Sequence, residues 1–299
     1  MNKKVLFTIT AIIMVFAMVM TGCTPVANKP ANSTATIAPG ATTAPTVEVT
    51  ADPNATPFEA PTIPPTSQGK LTVGVDDSYP PMEFQDETGN RIGFDIDLAN
   101  EIGKRLNMQV DFVSTSWGAI FTALEAKKFD CIISSLSITE KRKQSILFTQ
   151  PYIANAQVIV VPNGNTSITK PEDLAGKRVG VQIGTTAEAA ATEFQKTITF
   201  ASIDPYETVI ETFAEMKTGR LDAIIVDEVV ARYYVTKDPS SYMLSGVKLA
   251  PEPIGIGFRL DETVLRDKVD LTITAMKADG TLGAISTKWF GDDITKNLN

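Results

Sequence analysis

The chain has 299 residues, of which 43% are hydrophobic, and its formal net charge is −8 at pH 7. It contains no histidine, which excludes a Ser-His-Asp or Cys-His nucleophile and removes the commonest metal ligand and general base. The two cysteines form no zinc-type cluster and the acidic balance disfavours nucleic acid, so we predict no metal, no other cofactor and a mild preference for a cationic ligand.

Residues 1–22 have the pattern of an export signal. Two early lysines are followed by the apolar run 5–20, and a Thr-Gly pair precedes Cys23. This arrangement resembles a bacterial lipobox, with Met20 where leucine is commoner, and predicts cleavage before Cys23 and lipidation of its thiol. An uncleaved membrane helix is the alternative, but the apolar run is short for a bilayer span.

Residues 23–68 are predicted to be a disordered tether that begins at the lipidated Cys23. The segment is rich in Thr, Pro and Ala, holds nine of the eighteen prolines and cannot bury a core. If Cys23 carries lipid, Cys131 is the one cysteine left, so the exported domain has no internal disulfide. Cys131 lies in an apolar run and is predicted to be a small buried hydrophobic side chain.

From residue 69 onward, apolar runs typical of buried strands alternate with helical patterns. The predicted elements are strand 71–75, helices 95–106 and 119–127, strands 129–133, 157–161 and 178–181, helices 186–195 and 206–218, strand 222–226 and a mainly helical segment 262–289. Repeated strand–helix–strand alternation implies an α/β fold with parallel sheets that helices cover on both faces. Two such cycles predict two lobes with a ligand between them.

A run of hydroxyls and basic residues, 134–142, follows the predicted strand 129–133. The carboxyl edge of an open α/β sheet is where ligands bind. The arginine of this run, Arg142, can grip a carboxylate by two parallel hydrogen bonds, and serine hydroxyls both donate and accept. The alternative is a helix capped by Thr139 with a solvated basic first turn.

Eight segments along residues 69–299 form a familiar series: 75–84, 93–98, 134–142, 177–181, 184–186, 219–223, 227–229 and 288–291. In their order and spacing they resemble the amino-acid-binding family of extracytoplasmic solute-binding proteins that serve ABC importers. The similarity is greatest to the lysine/arginine/ornithine and histidine binders.

The resemblance implies an α/β, two-lobe periplasmic-binding-protein fold. Each lobe would be a mostly parallel sheet flanked by helices, and a two-stranded hinge would let the lobes close on a ligand. The first lobe is expected to comprise residues 69–155 plus 254–299, and the second lobe residues 156–253.

The resemblance also implies that Arg142 clamps the α-carboxylate of the ligand, helped by Ser137 and Thr186. The residues themselves agree in part, because Thr185 and Thr186 precede a predicted helix and a helix N-terminus presents free N–H groups to an anion.

By the same resemblance, Asp227 pairs with the ligand α-ammonium together with Ser135 and Ser137. An Asp at the end of a strand is otherwise often a helix cap.

The side-chain slot is expected to contain Asp76, Tyr79, Trp117, Ser134 and Gln182. The resemblance implies that Asp76 faces a distal cation of the ligand while the two rings sandwich its side chain. A cation between aromatic faces gains about 0.5–2 kcal/mol. For Trp117 the alternative is a core aromatic that starts a helix.

Asp95 and Thr185 are expected behind the directly contacting residues, with Asp95 making a structural hydrogen bond. Asp77 and Glu83 either add negative field or are solvated. Two departures from the family pattern leave the amino acid open: Gln182 replaces an apolar residue and Trp117 a phenylalanine.

The sequence therefore predicts the lipid-anchored substrate-binding component of an ABC amino-acid importer, not an enzyme. It is expected to bind a free L-amino acid, a basic one such as arginine, lysine, ornithine or histidine, and to deliver it to the transmembrane permease. We expect a monomer, held by lipid at Cys23 on the outer face of the membrane of a Gram-positive type of bacterium. The alternatives are a binder of glutamine or another polar amino acid, an exported enzyme resembling cyclohexadienyl dehydratase, and a protein that serves a chemoreceptor.

Overall fold

The structure, a computed structural model, describes residues 69–296. The predicted signal segment, Cys23 and the whole predicted tether lie outside the described residues. Within that range the strands are β1 Lys70–Val75, β2 Ser78–Tyr79, β3 Glu83–Gln85, β4 Arg91–Ile92, β5 Gln109–Ser114, β6 Cys131–Ile132, β7 Leu147–Phe148, β8 Ala156–Pro162, β9 Arg178–Gln182, β10 Ser202–Tyr206, β11 Ala223–Asp227, β12 Tyr242–Pro251 and β13 Gly257–Phe258. The α-helices of the same range are α1 Phe94–Leu106, α2 Ile120–Glu125, α3 Glu140–Lys143, α4 Thr186–Phe194, α5 Val209–Lys217, α6 Glu228–Lys237, α7 Thr263–Ala278 and α8 Thr281–Phe290.

Two five-stranded sheets share one plan. The first sheet has the order β5-β1-β6-β13-β7 and the second has the order β10-β9-β11-β8-β12. In each sheet four strands run parallel, and the strand in fourth place runs against its two neighbours. The predicted α/β fold with two mostly parallel sheets is confirmed. We call the elements around the first sheet the first lobe and those around the second sheet the second lobe.

Two extended segments connect the lobes and bond to each other. The backbone N–H of Tyr152 donates to the carbonyl of Ile254 at 2.9 Å, and that of Glu252 donates to Asn155 at 2.9 Å. Ile153 and Ile254 also form an antiparallel bridge. The crossing is therefore two-stranded. The residues at which one lobe ends and the other begins, predicted as 155/156 and 253/254, stay a prediction.

The core of the first lobe forms where β1 meets α1. Leu71, Val73 and Val75 of β1 are fully buried, and so are Ile102 and Leu98 of α1. Burying a large aliphatic side chain contributes about 1.5–3 kcal/mol, so this packing holds the end of β1 and the start of α1 in place. Both ends carry acidic residues that concern the site below.

The structure differs from the prediction most clearly before α5. The helix predicted at 206–218 begins only at Val209, because the Thr208 hydroxyl accepts a hydrogen bond from the Glu211 amide while the Glu211 carboxylate accepts one from the Thr208 amide. Residues Ser202–Tyr206 form β10 instead, parallel to β9. The predicted strand 129–133 is also shorter, since β6 spans two residues.

Candidate ligand-binding site

A pocket lies between the lobes, at the carboxyl ends of strands from both sheets. The first lobe lines it with Asp76, Tyr79, Glu83, Trp117, Ser134, Ser135, Ser137 and Arg142, and the second lobe with Gln182, Thr185, Thr186 and Asp227. The structure thus brings together all the residues that were predicted to contact a ligand. Asp95 lies behind the pocket, fully buried, and Cys23 is outside the described residues.

Three hydrogen bonds cross the pocket from one lobe to the other. The Tyr79 hydroxyl donates to Asp227 Oδ2 at 2.5 Å, Gln182 Nε2 donates to Asp76 Oδ2 at 2.7 Å, and Trp117 Nε1 donates to the carbonyl of Gly184 at 3.0 Å. Between these bonds the pocket has about 20 Å³ of free space, room for roughly one water molecule. A larger solute can enter only when the lobes separate.

Two serines after β6 have different roles. Ser134 Oγ accepts a hydrogen bond from the Asp76 amide at 2.9 Å and donates to Glu83 Oε1 at 2.8 Å. Ser135 has a left-handed φ of 46°, and its amide donates to Asp95 Oδ2 at 2.7 Å. Its buried Oγ has no hydrogen-bond partner among the described residues. Because a buried hydroxyl is costly to leave unpaired, Ser135 Oγ is available to a bound solute.

Arg142 lies on the pocket wall and also belongs to a short capped helix. Thr139 Oγ1 accepts from the Arg142 amide and caps α3, as the local alternative predicted. The guanidinium lies 5.3 Å from the ring centres of both Trp117 and Phe121, and its Nη1 donates to the carbonyl of Ser137 at 2.9 Å. Burial lowers the pKa of Arg142, and no carboxylate of residues 69–296 forms an ion pair with it. The guanidinium is therefore open to an anion.

Asp227 ends β11 and is surrounded by neutral donors. Besides Tyr79, Asn155 Nδ2 donates to its Oδ1 at 2.5 Å and Gln157 Nε2 donates to the same oxygen at 2.6 Å. Burial raises the pKa of Asp227 to about 6. Asp227 also occupies the N-cap position of α6, but its side chain makes no capping hydrogen bond to that helix. Donors that carry no charge hold the carboxylate without neutralising it, which leaves it attractive to a cation.

Three further acids lie at the other end of the pocket. Asp76 accepts from Ser78 Oγ and Gln182 Nε2, and burial raises its pKa. Glu83 lines the pocket and Asp95 lies behind it, 1% and 0% exposed. Burial raises the pKa of both, that of Asp95 to about 6 and that of Glu83 well above its usual value. No lysine or arginine of the described residues forms an ion pair with any of these three acids.

Gly93 explains why Asp95 comes so close to Glu83. Its φ is 139°, and a Cβ at this position would lie 2.1 Å from the carbonyl oxygen of Met82. Because glycine has no side chain, the start of α1 approaches the segment before β3, and the Asp95 amide donates to the Met82 carbonyl at 2.8 Å. The Asp95 carboxyl group is thereby held against that of Glu83.

The second lobe contributes the start of α4. Thr185 Oγ1 accepts from the Glu188 amide and caps the helix, while Gln157 Nε2 donates to Thr186 Oγ1 at 3.1 Å. Thr185 and Thr186 line the pocket, so the N-terminus of this nine-residue helix lies at the pocket wall, where a helix dipole favours an anion.

Sequence reasoning missed or underrated four residues of the site. Glu83 was expected only to add negative field or to be solvated, and Asn155, Gln157 and Phe121 were not singled out. A signal for Gln157 existed only in the sheet register, which pairs it with Asp227 across β8 and β11. No helix within residues 69–296 is long and apolar enough to cross a membrane.

The comparisons with known proteins agree with the fold. Residues 71–292 match the bacterial extracellular solute-binding proteins, family 3. The chain is 37% identical over 234 residues to the histidine-binding periplasmic protein of Escherichia coli (strain K12), covering 75% of this chain and 88% of the relative. It is 31% identical over 230 residues to the L-cystine-binding protein TcyJ of the same strain, covering 77% and 85%. A solved ancestral arginine-binding protein bound to arginine superposes with a TM-score of 0.72 at 40% identity, covering 75% of this chain and 99% of the other.

Proposed function

The chain belongs to the bacterial extracellular solute-binding proteins of family 3, and from that premise we propose that it binds a free basic L-amino acid for an ABC importer. The observation that carries this proposal is the charge of the pocket. One guanidinium and three buried carboxyl groups line it, a fourth buried carboxyl group lies behind it, and none of them has an ion-pair partner within residues 69–296. A ligand with one carboxylate and two cations matches this set.

The ligand α-carboxylate would bind Arg142. Its guanidinium is already oriented by the Ser137 carbonyl and by two rings, so little freedom is lost when a carboxylate binds. Ser137 and the helix start at Thr186 would complete the anion site.

The ligand α-ammonium would bind Asp227, with Ser135 and Ser137 as neutral partners. The unpartnered Ser135 Oγ supports this role because an ammonium group offers three donors. A desolvated zwitterion needs both charges paired, so the loss of either partner should cost about 2–5 kcal/mol.

The distal cation would lie between the rings of Tyr79 and Trp117, against Asp76 and Glu83. Asp76 already accepts two neutral hydrogen bonds, whereas one oxygen of Glu83 has no donor. We therefore assign Glu83 the direct contact with the distal cation and Asp76 a longer-range attraction. Glutamine, which carries no such cation, is the outcome that would contradict this assignment.

The proposal includes the predicted surroundings of the binding domain. The signal would be cleaved before Cys23, and the thiol of Cys23 would carry a lipid. This lipid and the tether 23–68 would hold a monomer at the outer face of the cell membrane, within reach of the permease. The lobes would be residues 69–155 plus 254–299 and residues 156–253. Labelled palmitate incorporation that disappears in Cys23→Ala would test the anchor, and unlabelled wild-type protein would contradict it.

We further propose that the chain is not an enzyme. The sequence has no histidine for proton transfer, and Asp227 is committed to hydrogen bonds with three side chains. Incubation with prephenate or arogenate should therefore give no aromatic product, and formation of that product would contradict this part of the proposal.

A thermal-shift screen of the twenty amino acids, ornithine and citrulline tests the binding proposal. At a hundred times its dissociation constant a ligand stabilises the protein by about 2.7 kcal/mol, which is readily measured. We expect shifts with arginine, lysine, ornithine or histidine. A shift with glutamine alone would contradict the proposed basic ligand while leaving amino-acid binding intact.

Arg142→Ala tests which residue binds the ligand α-carboxylate. The side chain lies on the pocket wall, so the variant should fold and lose affinity by at least about tenfold, as calorimetry can measure. Unchanged affinity would remove the carboxylate assignment.

A further inference from the structure

Of the four carboxyl oxygens of Glu83 and Asp95, three accept a hydrogen bond from a described donor and one does not. Asp95 accepts from the Tyr152 hydroxyl at 2.8 Å and from the Ser135 amide at 2.7 Å, so each of its oxygens has a donor. Glu83 Oε1 accepts from Ser134 Oγ at 2.8 Å. Glu83 Oε2 is buried without a donor among the described residues, although the two carboxyl groups lie within hydrogen-bonding reach of each other.

A proton on Glu83 Oε2 would supply the missing hydrogen bond. Two ionised carboxylates in contact repel strongly when buried, and one proton between them replaces that repulsion by a hydrogen bond. With the proton on Glu83 Oε2 and directed at Asp95, every polar atom of the pair has a partner. The neighbouring donors cannot supply this hydrogen, since the Ser134 hydroxyl and the Ser135 amide are already used.

The charges that face the pair are negative or neutral. Asp76 and the Tyr79 hydroxyl lie on the pocket side, Tyr152 packs behind, and Asp227 lies across the cleft. Arg142 forms no ion pair with either acid, and its guanidinium donates to the Ser137 carbonyl beside two aromatic rings. No protein cation therefore competes with the proton in the part of the chain that the structure describes.

We propose that Glu83 and Asp95 together hold one proton and that the distal cation of a basic amino acid displaces it. This inference rests on the proposed function and concerns how protonation controls binding at the same site. On binding, Glu83 Oε2 releases the proton to solvent, and the resulting carboxylate pairs with the incoming guanidinium or ammonium. A neutral ligand leaves the proton in place.

The direction of the pH dependence follows from this exchange. Burial and the charge of Asp95 raise the pKa of Glu83 well above its usual value, so the pair still holds its proton when exposed carboxyl groups are ionised. While the proton is held, affinity for a basic amino acid should rise by up to about tenfold per pH unit, since one proton leaves per ligand bound. Affinity for a neutral analogue should not show this added slope.

Arginine and citrulline make the comparison, because citrulline has nearly the shape of arginine and no charge on its side chain. Calorimetry of both ligands in two buffers of different ionisation enthalpy, from pH 5 to 8, counts the protons released. We expect close to one proton more for arginine than for citrulline. Any proton linked to Asp227 is common to both ligands and cancels in the difference.

Glu83→Gln should abolish that difference. Its amide oxygen can accept from Ser134 and its NH₂ can donate to Asp95, so the variant imitates the protonated acid permanently. We expect arginine affinity to fall by at least about tenfold and citrulline affinity to stay within about twofold. Glu87→Gln removes an exposed acid in the turn after β3 and should change the affinity for neither ligand.

The outcomes separate the two proposals. Arginine that binds wild-type protein without extra proton release overturns the shared proton and leaves the proposed function standing. Absence of binding by every amino acid overturns the proposed function itself. If Glu83→Gln fails to fold, infrared spectra of wild-type protein decide, because the band of a protonated buried carboxyl should vanish with arginine and persist with citrulline.

Discussion

Two buried acidic centres face the same pocket, and they differ in the number of donors that surround them. Asp227 accepts hydrogen bonds from Tyr79, Asn155 and Gln157. Glu83 accepts one, from Ser134, and its second oxygen meets another carboxyl group. Both centres lie in the same kind of low-dielectric surroundings, so the difference between them is one of local hydrogen bonding.

The comparison shows how one pocket can treat two cations of a ligand differently. Three neutral donors keep Asp227 an anion at neutral pH, where its pKa of about 6 leaves it ionised. The α-ammonium that it is proposed to bind is present in every amino acid. Glu83 becomes an anion only when a cation replaces its proton, and the group that it is proposed to bind varies between ligands.

The strongest way to break this comparison is Asp227→Asn. Removing the permanent anion should weaken arginine and citrulline alike, by about 2–5 kcal/mol or at least tenfold, because both carry the same α-ammonium. Calorimetry at pH 7.5 measures both affinities. Selective loss of arginine would mean that Asp227 recognises the side chain instead.

Glu228→Gln is the matched control for that variant. Glu228 is the next residue, but its half-buried carboxylate pairs with Arg232 and Lys248 and does not line the pocket. Both affinities should stay within about twofold of wild type, because the variant changes no group that lines the pocket.

A smaller effect is expected on the stability of Glu83→Gln without ligand. Glu83 in the unfolded chain ionises near 4.5, whereas burial raises its pKa in the folded protein well above that value. Wild-type protein therefore keeps a proton that the unfolded chain releases, and its free energy of unfolding falls as pH rises above about 4.5. The variant escapes this loss, so its advantage should grow with pH.

Urea unfolding of both proteins between pH 4.5 and 8 measures that advantage. It should grow by up to about 1.4 kcal/mol for each pH unit above 4.5 over which the folded wild-type protein still holds the proton. Glu87→Gln, at an exposed position, should follow the wild-type curve. A pH-independent difference between Glu83→Gln and wild type would show that Glu83 holds no proton.

The smallest effect should come from Trp117→Phe. Phenylalanine keeps an aromatic ring beside Arg142 but loses the hydrogen bond from Nε1 to the Gly184 carbonyl across the cleft. Closure should then be weaker by about 0.5–1.5 kcal/mol for arginine and citrulline equally. A loss confined to arginine would mean that the indole ring acts on the distal cation and not on closure.

Much of the site could be predicted from local sequence. Arg142 and Asp227 could both be assigned to one ligand site because each follows a predicted strand within a recognisable motif. The structure brings both residues to one pocket. Capping is local as well, yet it was misjudged at Thr208: the Thr-Glu pair that stops α5 from extending backwards was present in the sequence. The bounds of the two-residue strands β6 and β13 were harder to predict from the sequence, because so short a strand is defined only by its pairing with neighbouring strands.

The sequence by itself determined the α/β alternation and the kinds of residue that face the cleft, since periodicity, capping and motif spacing act over a few residues. Only the tertiary structure decided which donors each acid meets. Gln157 reaches Asp227 across 70 residues of chain through the register of β8 and β11, and Asp95 reaches Glu83 through the close approach at Gly93. Hydrogen-bond partners that distant are selected by packing, and packing determines whether a buried carboxyl group is an anion or holds a proton.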